Sequence, residues 1–163
     1  MPGLKKCFVF DLDDTLADNG HRMHLLRSGN WDLYYAQCKH DPVIVHVAEI
    51  ANALHAFGYA IVIISGRSES TRADTDEWLE KGLKCFVEKV YLRPEGDFRP
   101  NSVVKLEALA RLRAEGYEPL MAFDDQPATC EMWRSAGVPC AQVRSAEDYV
   151  DYGSGPAKEA KDA

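Results

Sequence analysis

The chain has 163 residues, 46% hydrophobic and 28% charged, a balance typical of a folded globular domain and not of a disordered or fibrous chain. Its net charge of −7 disfavours an extended nucleic-acid groove, because an acidic surface repels a phosphate backbone. The five cysteines are odd in number and form no CxxC pair, which predicts free thiols in a reducing compartment. No apolar segment is long enough for a signal peptide or a membrane span, so we expect a cytoplasmic protein.

Apolar runs and helical periodicities alternate along the chain. Short apolar or β-branched runs predict strands at residues 7–10, 60–64, 89–92, 120–123 and 140–143. The segments between them predict helices at residues 43–57, 71–81, 102–115 and 127–137, with Ser102 as an N-cap and Pro127 in the first turn. This alternation predicts an α/β fold, a doubly wound parallel sheet with right-handed crossovers, as one domain over residues 1–152.

Two segments depart from the alternation. Residues 17–42, between the first strand and the first long helix, are too many for an ordinary loop and contain helical candidates at 21–27 and 31–38. We expect them to form a small helical cap, inserted after the first strand, over the carboxyl edge of the sheet. Residues 153–163 are rich in Gly, Ser, Pro, Ala and Lys and predict a disordered tail.

Polar residues cluster where the predicted strands end. Residues 11–15 (DLDDT) follow the first strand, residues 65–67 (SGR) follow the second, and residues 124–125 (DD) follow a later one. In an open α/β sheet, ligands bind beyond the carboxyl ends of the strands. We therefore expect four of these carboxylates, those of Asp11, Asp13, Asp124 and Asp125, at one edge, where a hard cation must offset their repulsion. A site with only oxygen ligands suits Mg²⁺.

These motifs resemble those of the haloacid dehalogenase superfamily of aspartate-nucleophile phosphatases. The resemblance extends from residue 7 to about residue 143, and its elements appear in order as DLDDT (11–15), IISGR (63–67), Lys105 and FDD (123–125). A narrower resemblance is to the 3′-phosphatase domain of phage-type polynucleotide kinase/phosphatase. That resemblance rests on SGRSE (65–69), GDFR (96–99) leading into VVK (103–105), and DD (124–125) followed by CEMWR (130–134).

The resemblance and the spacing together suggest roles for the residues at this edge. Asp11 is the expected nucleophile of an aspartyl-phosphate mechanism. Asp13 faces the same side two residues on, where it can protonate the leaving group and then activate water. Ser65 and Lys105 are expected to bind the oxygens of the transferring phosphoryl group. The implied Mg²⁺ ligands are Asp11, the backbone carbonyl of Asp13, and one or both of Asp124 and Asp125. The implied substrate-binding residues are Thr15, Gly66, Arg67 and Arg99.

Several of these residues have an ordinary structural interpretation as well. Arg67 and Arg99 are as readily surface arginines as substrate ligands. A basic cluster in the cap is typical of a solvated helix face, with a phosphate-contacting lid as the alternative; it consists of His21, Arg22, His24 and Arg27. The aromatic residues Trp31, Tyr34 and Tyr35 are typical of packing between cap and core, with base stacking as the alternative.

Departures from the family pattern bear on the substrate. Asp14 stands where a glycine is common, and Gln126 stands where an arginine is expected after the paired aspartates. No GxxxxGK[ST] loop occurs in the 163 residues, so we expect no kinase half here.

We therefore expect a Mg²⁺-dependent phosphatase whose partner is a 3′-phosphate nucleic-acid end or a phosphorylated nucleotide, with free mononucleotides or other small phosphomonoesters as the alternative. Asp13 argues against a dehalogenase, the short cap against a phosphomutase, and the complete motif set against a non-catalytic binding protein.

Overall fold

The structure, a computed structural model, describes residues 3–143. The strands are β1 (Lys5–Phe10), β2 (Ala60–Ser68), β3 (Val87–Arg93), β4 (Tyr117–Asp124) and β5 (Cys140–Gln142). The α-helices are α1 (Met23–Arg27), α2 (Trp31–Ala36), α3 (Val45–Ala56), α4 (Arg72–Gly82), α5 (Asn101–Ala114) and α6 (Pro127–Ser135). All five strands are parallel, in the order β3-β2-β1-β4-β5. This confirms the predicted doubly wound α/β fold.

Two hydrophobic cores lie on opposite faces of the sheet. Successive residues of a strand point to opposite faces, so Val9 and Phe10 of β1 belong to different cores. Phe10 packs with residues of α3 and α4, including Trp78, whereas Val9 packs with residues of α5 and α6, including Trp133. Helices therefore cover both faces, and the carboxyl ends of the strands form the edge at which polar side chains emerge.

The two ends of the insertion after β1 lie side by side. Ala17 and Val43 form an isolated antiparallel bridge, and the Asp18 N–H donates to the Pro42 carbonyl at 2.8 Å. Between these ends, 3₁₀ turns at Gly20–Arg22 and Cys38–His40 flank α1 and α2.

Three aromatic rings pack against one another in α2. The ring centroids of Trp31, Tyr34 and Tyr35 lie 5.6–6.1 Å apart, and Tyr34 is buried. The rings therefore pack within the insertion itself, and their predicted packing onto the core stays a prediction.

Several predicted boundaries are wrong, and two of them bear on the site. β2 does not end at Ile64 but continues to Ser68, and its register with β3 shifts between these two residues. Ser102 does not cap α5, which begins at Asn101; the carbonyl of Pro100 accepts the first backbone hydrogen bonds of the helix, so Ser102 lies within the first turn.

The five cysteines are free thiols, as predicted. Among residues 3–143, no helix combines the length and apolar character that crossing a bilayer requires. The predicted tail at residues 153–163 lies outside the described residues.

Candidate active site

Three buried aspartates meet where β1 and β4 end. Phe10 pairs with Phe123 in the sheet, so Asp11 and Asp124 leave the two strands side by side. One carboxylate oxygen from each of Asp11, Asp124 and Asp125 lies within 4.8 Å of the other two, and the three residues are at most 5% exposed. The structure thus brings together three of the four carboxylates that the sequence placed at this edge.

A buried lysine from α5 lies against these aspartates. Lys105 Nζ is 3.0 Å from Asp11 Oδ1 and donates to Asp124 Oδ2 at 2.7 Å. Asp124 Oδ2 also accepts the indole N–H of Trp133 at 3.2 Å. Asp124 Oδ1 accepts the backbone N–H groups of the next two residues at 3.0 and 3.2 Å. Both oxygens of Asp124 are therefore engaged by the protein, whereas Asp125 receives the Thr15 hydroxyl at 3.5 Å.

Two of these aspartates, Asp11 and Asp125, have raised pKa values. Burial, together with Asp124 and Asp13, raises the pKa of Asp11 to about 7, although Lys105 opposes the shift. Burial, together with Asp11 and Asp124, raises the pKa of Asp125 to about 10. For Lys105, burial lowers the pKa, but Asp11 and Asp124 outweigh it and the pKa is raised. Three carboxylates thus share one ammonium group, and such an all-oxygen set fits a small divalent cation.

The side chain of Asp13 belongs to a second charged cluster, formed with two arginines. Asp13 Oδ1 accepts a hydrogen bond from Arg22 Nη2 at 2.6 Å and two from Arg67, at 3.0 Å from Nε and 2.7 Å from Nη2. Burial alone would raise the pKa of Asp13, but Arg67 and Arg22 hold it at about 2. The Asp13 side chain therefore lies outside the three-aspartate group, and a metal-binding role for its backbone carbonyl stays a prediction.

Asp41 holds the same two arginines from the other side. Its Oδ2 accepts hydrogen bonds from Arg22 Nη2 at 2.6 Å and Arg67 Nη2 at 2.8 Å. Its Oδ1 accepts one from Arg22 Nε at 2.7 Å and lies 2.7 Å from His21 Nε2. The Arg22 guanidinium also lies over the ring of Tyr34, 4.1 Å from its centroid. The insertion thus contributes a buried Arg–Asp pair directly to the site.

These contacts correct the expectation for Arg22 and exclude the surface alternative for Arg67. Arg22, placed by the sequence on a solvated helix face, has a side chain with 0% exposure, and Arg67 is likewise buried. Burying a guanidinium is costly unless it is hydrogen-bonded or paired, and Asp13 and Asp41 form ion pairs with both arginines.

The two arginines implicated in substrate binding lie in different surroundings. Unlike Arg67, Arg99 is half-exposed and forms ion pairs of 2.7 Å with both Asp97 and Glu107. The structure therefore does not bring Arg99 into the buried cluster.

Ser65 and Gly66 lie within β2, where its register with β3 is irregular. The Ser65 hydroxyl accepts the backbone N–H of Arg67 at 3.2 Å, and the residue is 2% exposed. A Cβ on Gly66 would clash with Asn101 Oδ1, so the close approach of Asn101 requires glycine at this position.

Asp14 occupies the position at which the family pattern has glycine. Its φ is 61°, the left-handed conformation that glycine adopts freely and that aspartate tolerates better than most residues. The substitution noted in the sequence therefore preserves the backbone turn.

Sequence reasoning gave no site role to Asp41 or Trp133, and gave Arg22 one only through the alternative of a phosphate-contacting cap. Arg22 was visible only as part of a basic cluster, and Trp133 only as a packing residue. Nothing in the sequence pattern marks Asp41, which follows a short 3₁₀ turn.

The doubly wound fold and this constellation define a phosphatase of the haloacid dehalogenase type. A nucleophile candidate after the first strand, a hydroxyl in the last part of the second, a buried lysine and paired aspartates lie at one edge of the sheet. The chain belongs to the family described as the polynucleotide kinase PNKP phosphatase domain, which it matches over residues 5–149. The resemblance inferred from the motifs is thereby confirmed, and this chain is a phosphatase domain of that family.

Individual relatives are similar to this chain over part of their length. A protein of Autographa californica nuclear polyhedrosis virus described as a bifunctional polynucleotide kinase/RNA ligase is 29% identical over 110 residues, which is 68% of this chain and 15% of the viral protein. A solved structure of the Pnkp1/Rnl/Hen1 RNA repair complex contains a chain with a TM-score of 0.76 and 25% identity, covering 90% of this chain and 44% of that one. This chain therefore spans less than half the length of these relatives.

The fold also recurs in more distant phosphatases. The class C acid phosphatase from Bacillus anthracis superposes with a TM-score of 0.61 at 16% identity, covering 90% of this chain and 71% of that chain. This similarity concerns the fold alone.

Proposed function

We propose that this phosphatase removes 3′-phosphate groups from nucleic-acid ends or nucleotides, with Mg²⁺ and a phosphorylated Asp11 intermediate. The observation that carries the proposal is the juxtaposition of two buried clusters at one edge: Asp11, Lys105 and the paired aspartates in one, and Asp13 with its two arginines in the other. A carboxylate nucleophile and a second carboxylate, each in a contrasting electrostatic environment, suit a reaction that needs both a nucleophile and a proton donor.

The oxygen-rich cluster fits Mg²⁺, and its hydrogen bonds indicate which residues hold the ion. Asp124 is engaged by Lys105, Trp133 and two backbone N–H groups. Asp11 and Asp125 are therefore the better candidates for direct ligands, with the Asp13 carbonyl and Asp124 completing or orienting the set. Bound Mg²⁺ would shield the charge of the nucleophile from the incoming phosphate.

The reaction then divides into two steps. Asp11 attacks the phosphorus, the bond from phosphorus to the sugar oxygen breaks, and Asp13 supplies the proton that the leaving oxygen takes. Asp13 then accepts a proton from the water that hydrolyses the phosphorylated Asp11. Ser65 and Lys105 bind the oxygens of the transferring group, where negative charge spreads in the transition state.

The arginines link substrate binding to proton transfer in this proposal. In the free protein, three hydrogen bonds from Arg22 and Arg67 stabilise the ionised form of Asp13. A phosphate dianion nearby competes for these guanidinium N–H groups. As they turn toward the phosphate, Asp13 loses the hydrogen bonds that disfavour its protonated form.

Family membership and charge favour a small contact with a polynucleotide. The family is that of polynucleotide kinase phosphatase domains, and the two relatives named above concern RNA repair or ligation, which favours RNA ends among the polynucleotide substrates. The net charge of −7 restricts the contact to the terminal phosphate and one or two neighbouring nucleotides, with no extended groove. The same charge favours the second candidate, hydrolysis of free mononucleotides.

A phosphate-release panel separates the two candidates. The substrates are RNA and DNA oligonucleotides of one to six nucleotides with a 3′-phosphate, 5′-mononucleotides and an aryl phosphate, each with Mg²⁺ and with excess chelator. We expect kcat/KM for the 3′-phosphates to level off after two or three nucleotides, and activity to depend on Mg²⁺. Asp11→Asn serves as the control that excludes a contaminating phosphatase.

Each part of the proposal has its own contradicting outcome. A preference for 5′-mononucleotides would reject the 3′-end substrate and leave the chemistry standing. Undiminished activity in chelator, after removal of metal has been verified, would reject the metal. Turnover by Asp11→Asn at the wild-type rate would reject the nucleophile.

A further inference from the structure

A buried arginine at the end of β3 joins three segments around the phosphoryl-binding region. Arg93 is 2% exposed, and its Nε donates to the Gly66 carbonyl at 3.0 Å. Its Nη1 donates to the carbonyls of Asp97 at 3.1 Å and Arg99 at 2.6 Å, and its Nη2 donates to Asn101 Oδ1. Between residues 3 and 143, these hydrogen-bond partners are all neutral oxygens, and the guanidinium makes no ion pair with a carboxylate. Its donors are thus used to connect segments.

Asn101 extends the connection across the sheet edge. Its Nδ2 donates to Gln126 Oε1 at 2.9 Å, and the same oxygen accepts the Thr129 hydroxyl at 3.2 Å. Gln126 directly follows the paired aspartates and is the N-cap residue of α6. A chain of hydrogen bonds therefore runs from the Gly66 carbonyl through Arg93 and Asn101 to the turn after β4.

These hydrogen bonds involve residues close in sequence to both groups that are expected to bind the phosphoryl oxygens. Gly66 follows Ser65 directly in β2, so fixing the Gly66 carbonyl fixes the backbone that carries the hydroxyl. Asn101 precedes Lys105 by four residues, about one turn of α5, so fixing Asn101 fixes the start of the helix that carries the ammonium group.

We propose that Arg93 is a positioning residue of the phosphatase. It fixes the distance between Ser65 and Lys105, the two residues that bind the transferring phosphoryl group. Arg93 contacts neither of these side chains and acts through Gly66 and Asn101. The inference rests on the phosphatase activity and on the proposed phosphoryl-binding roles, and is independent of which phosphomonoester is the substrate.

The shape of the guanidinium explains why arginine is used. Its planar fork presents donors in several fixed directions at once, whereas a lysine ammonium is a compact point charge with three donors. Lysine at this position keeps the charge but does not reach Gly66, the 97–99 carbonyls and Asn101 together. Because a displacement of about 1 Å in a reacting geometry can cost about 100-fold in rate, we expect such a loss to appear in kcat.

The first experiment compares Arg93→Met and Arg93→Lys with a matched control, Arg72→Met. Arg72 lies at the start of α4 and also donates to a backbone carbonyl, that of Val90 at 3.1 Å, but it lies outside the site. For hydrolysis of an aryl phosphate, we expect kcat per folded molecule to fall about 100-fold in Arg93→Met and at least 10-fold in Arg93→Lys. We expect KM to change less than kcat, and Arg72→Met to match wild type.

Two results of this comparison would overturn the proposal. If Arg93→Met loses thermal stability but keeps wild-type kcat per folded molecule, its role is structural only. If Arg93→Lys has wild-type kcat, charge suffices and the fork geometry is irrelevant.

A second experiment does not depend on the Arg93 variants folding. Asn101→Ala removes the oxygen that Arg93 Nη2 contacts and the amide that donates to Gln126, so we expect kcat for the aryl phosphate to fall at least 10-fold with a smaller change in KM. Wild-type kcat in Asn101→Ala would overturn the proposed connection.

Orthophosphate binding gives a readout without turnover. Calorimetric titration is expected to show at least 10-fold weaker binding to Arg93→Met than to wild type or Arg72→Met. If none of these three proteins hydrolyses the aryl phosphate but the difference in orthophosphate binding is found, the proposed catalytic chemistry fails and the positioning role stands. Equal binding by all three proteins would overturn the positioning role.

Discussion

Replacing Asp41 with asparagine tests whether the buried arginines depend on this carboxylate. Both of its oxygens accept hydrogen bonds from guanidinium groups, Oδ1 from Arg22 and Oδ2 from Arg22 and Arg67, at 2.6–2.8 Å. An amide of the same shape has one oxygen and one NH₂ group. In either orientation the NH₂ group faces a guanidinium donor, so the substitution removes a charge and creates a clash of donors.

The expected loss of stability is large for a domain of this size. Removing one partner of a buried ion pair costs about 3–5 kcal/mol, because the remaining charge stays buried without compensation. Each kcal/mol corresponds to about 2–4 °C in Tm for a domain of 150–250 residues, so Asp41→Asn should melt roughly 6–20 °C below wild type. We also expect kcat to fall, because Asp13 is then the one carboxylate that still pairs with Arg22 and Arg67.

The measurement is urea unfolding at pH 7, with Asp76→Asn as the control. Asp76 is 3.9 Å from Arg72 on the surface, and exposed pairs of this kind contribute about 0–1 kcal/mol. A free energy of unfolding for Asp41→Asn within 1 kcal/mol of the Asp76→Asn value would refute the reasoning, because the carboxylate would then not sustain the buried arginines.

Three further predictions concern the same edge of the sheet. Lys105→Met should lower the free energy of unfolding without metal by about 3–5 kcal/mol, and Mg²⁺ should stabilise the variant more than wild type; an equal increment in both proteins would contradict this. The raised pKa of Asp11, about 7, means that the metal-free folded protein holds a proton that the unfolded chain has lost above about pH 4. Stability without metal should therefore fall as pH rises from about 4 to 7. Asp125, whose pKa is raised to about 10, adds to this fall, so Asp11→Asn should reduce the slope without abolishing it; stability that rises over this window in chelator would count against both shifts. At the left-handed residue 14, Asp14→Ala should be about 1–2 kcal/mol less stable than Asp14→Gly in urea unfolding, and equal stabilities would show that the turn relaxes.

The sheet and the three-aspartate cluster were predictable because they follow from local pattern and one topological rule. Buried strands appear as apolar runs, and residues that follow parallel strands must share an edge. Asp11 and Asp124 each follow such a run, so their proximity needs no knowledge of side-chain packing.

The second cluster was not predictable from the same reasoning. Arg22 lies in a short 3₁₀ turn with other basic residues, and a charged residue in such a segment is ordinarily exposed. Its burial depends on Asp13 and Asp41, which come from different segments and meet it only when the insertion folds back. The Arg93 connection depends likewise on the register shift between β2 and β3, which no hydrophobic pattern specifies.

The indole of Trp133 gives the site an optical reporter of its own. Its N–H donates to the same Asp124 oxygen that Lys105 contacts, beside the oxygens that fit a cation. An ion arriving there changes the field across the indole ring and the strength of that hydrogen bond. The other two tryptophans lie elsewhere, Trp31 in the insertion and Trp78 in the opposite core. The tryptophan fluorescence of the unlabelled protein should therefore change as the cation site fills, and Trp133→Phe should abolish this change.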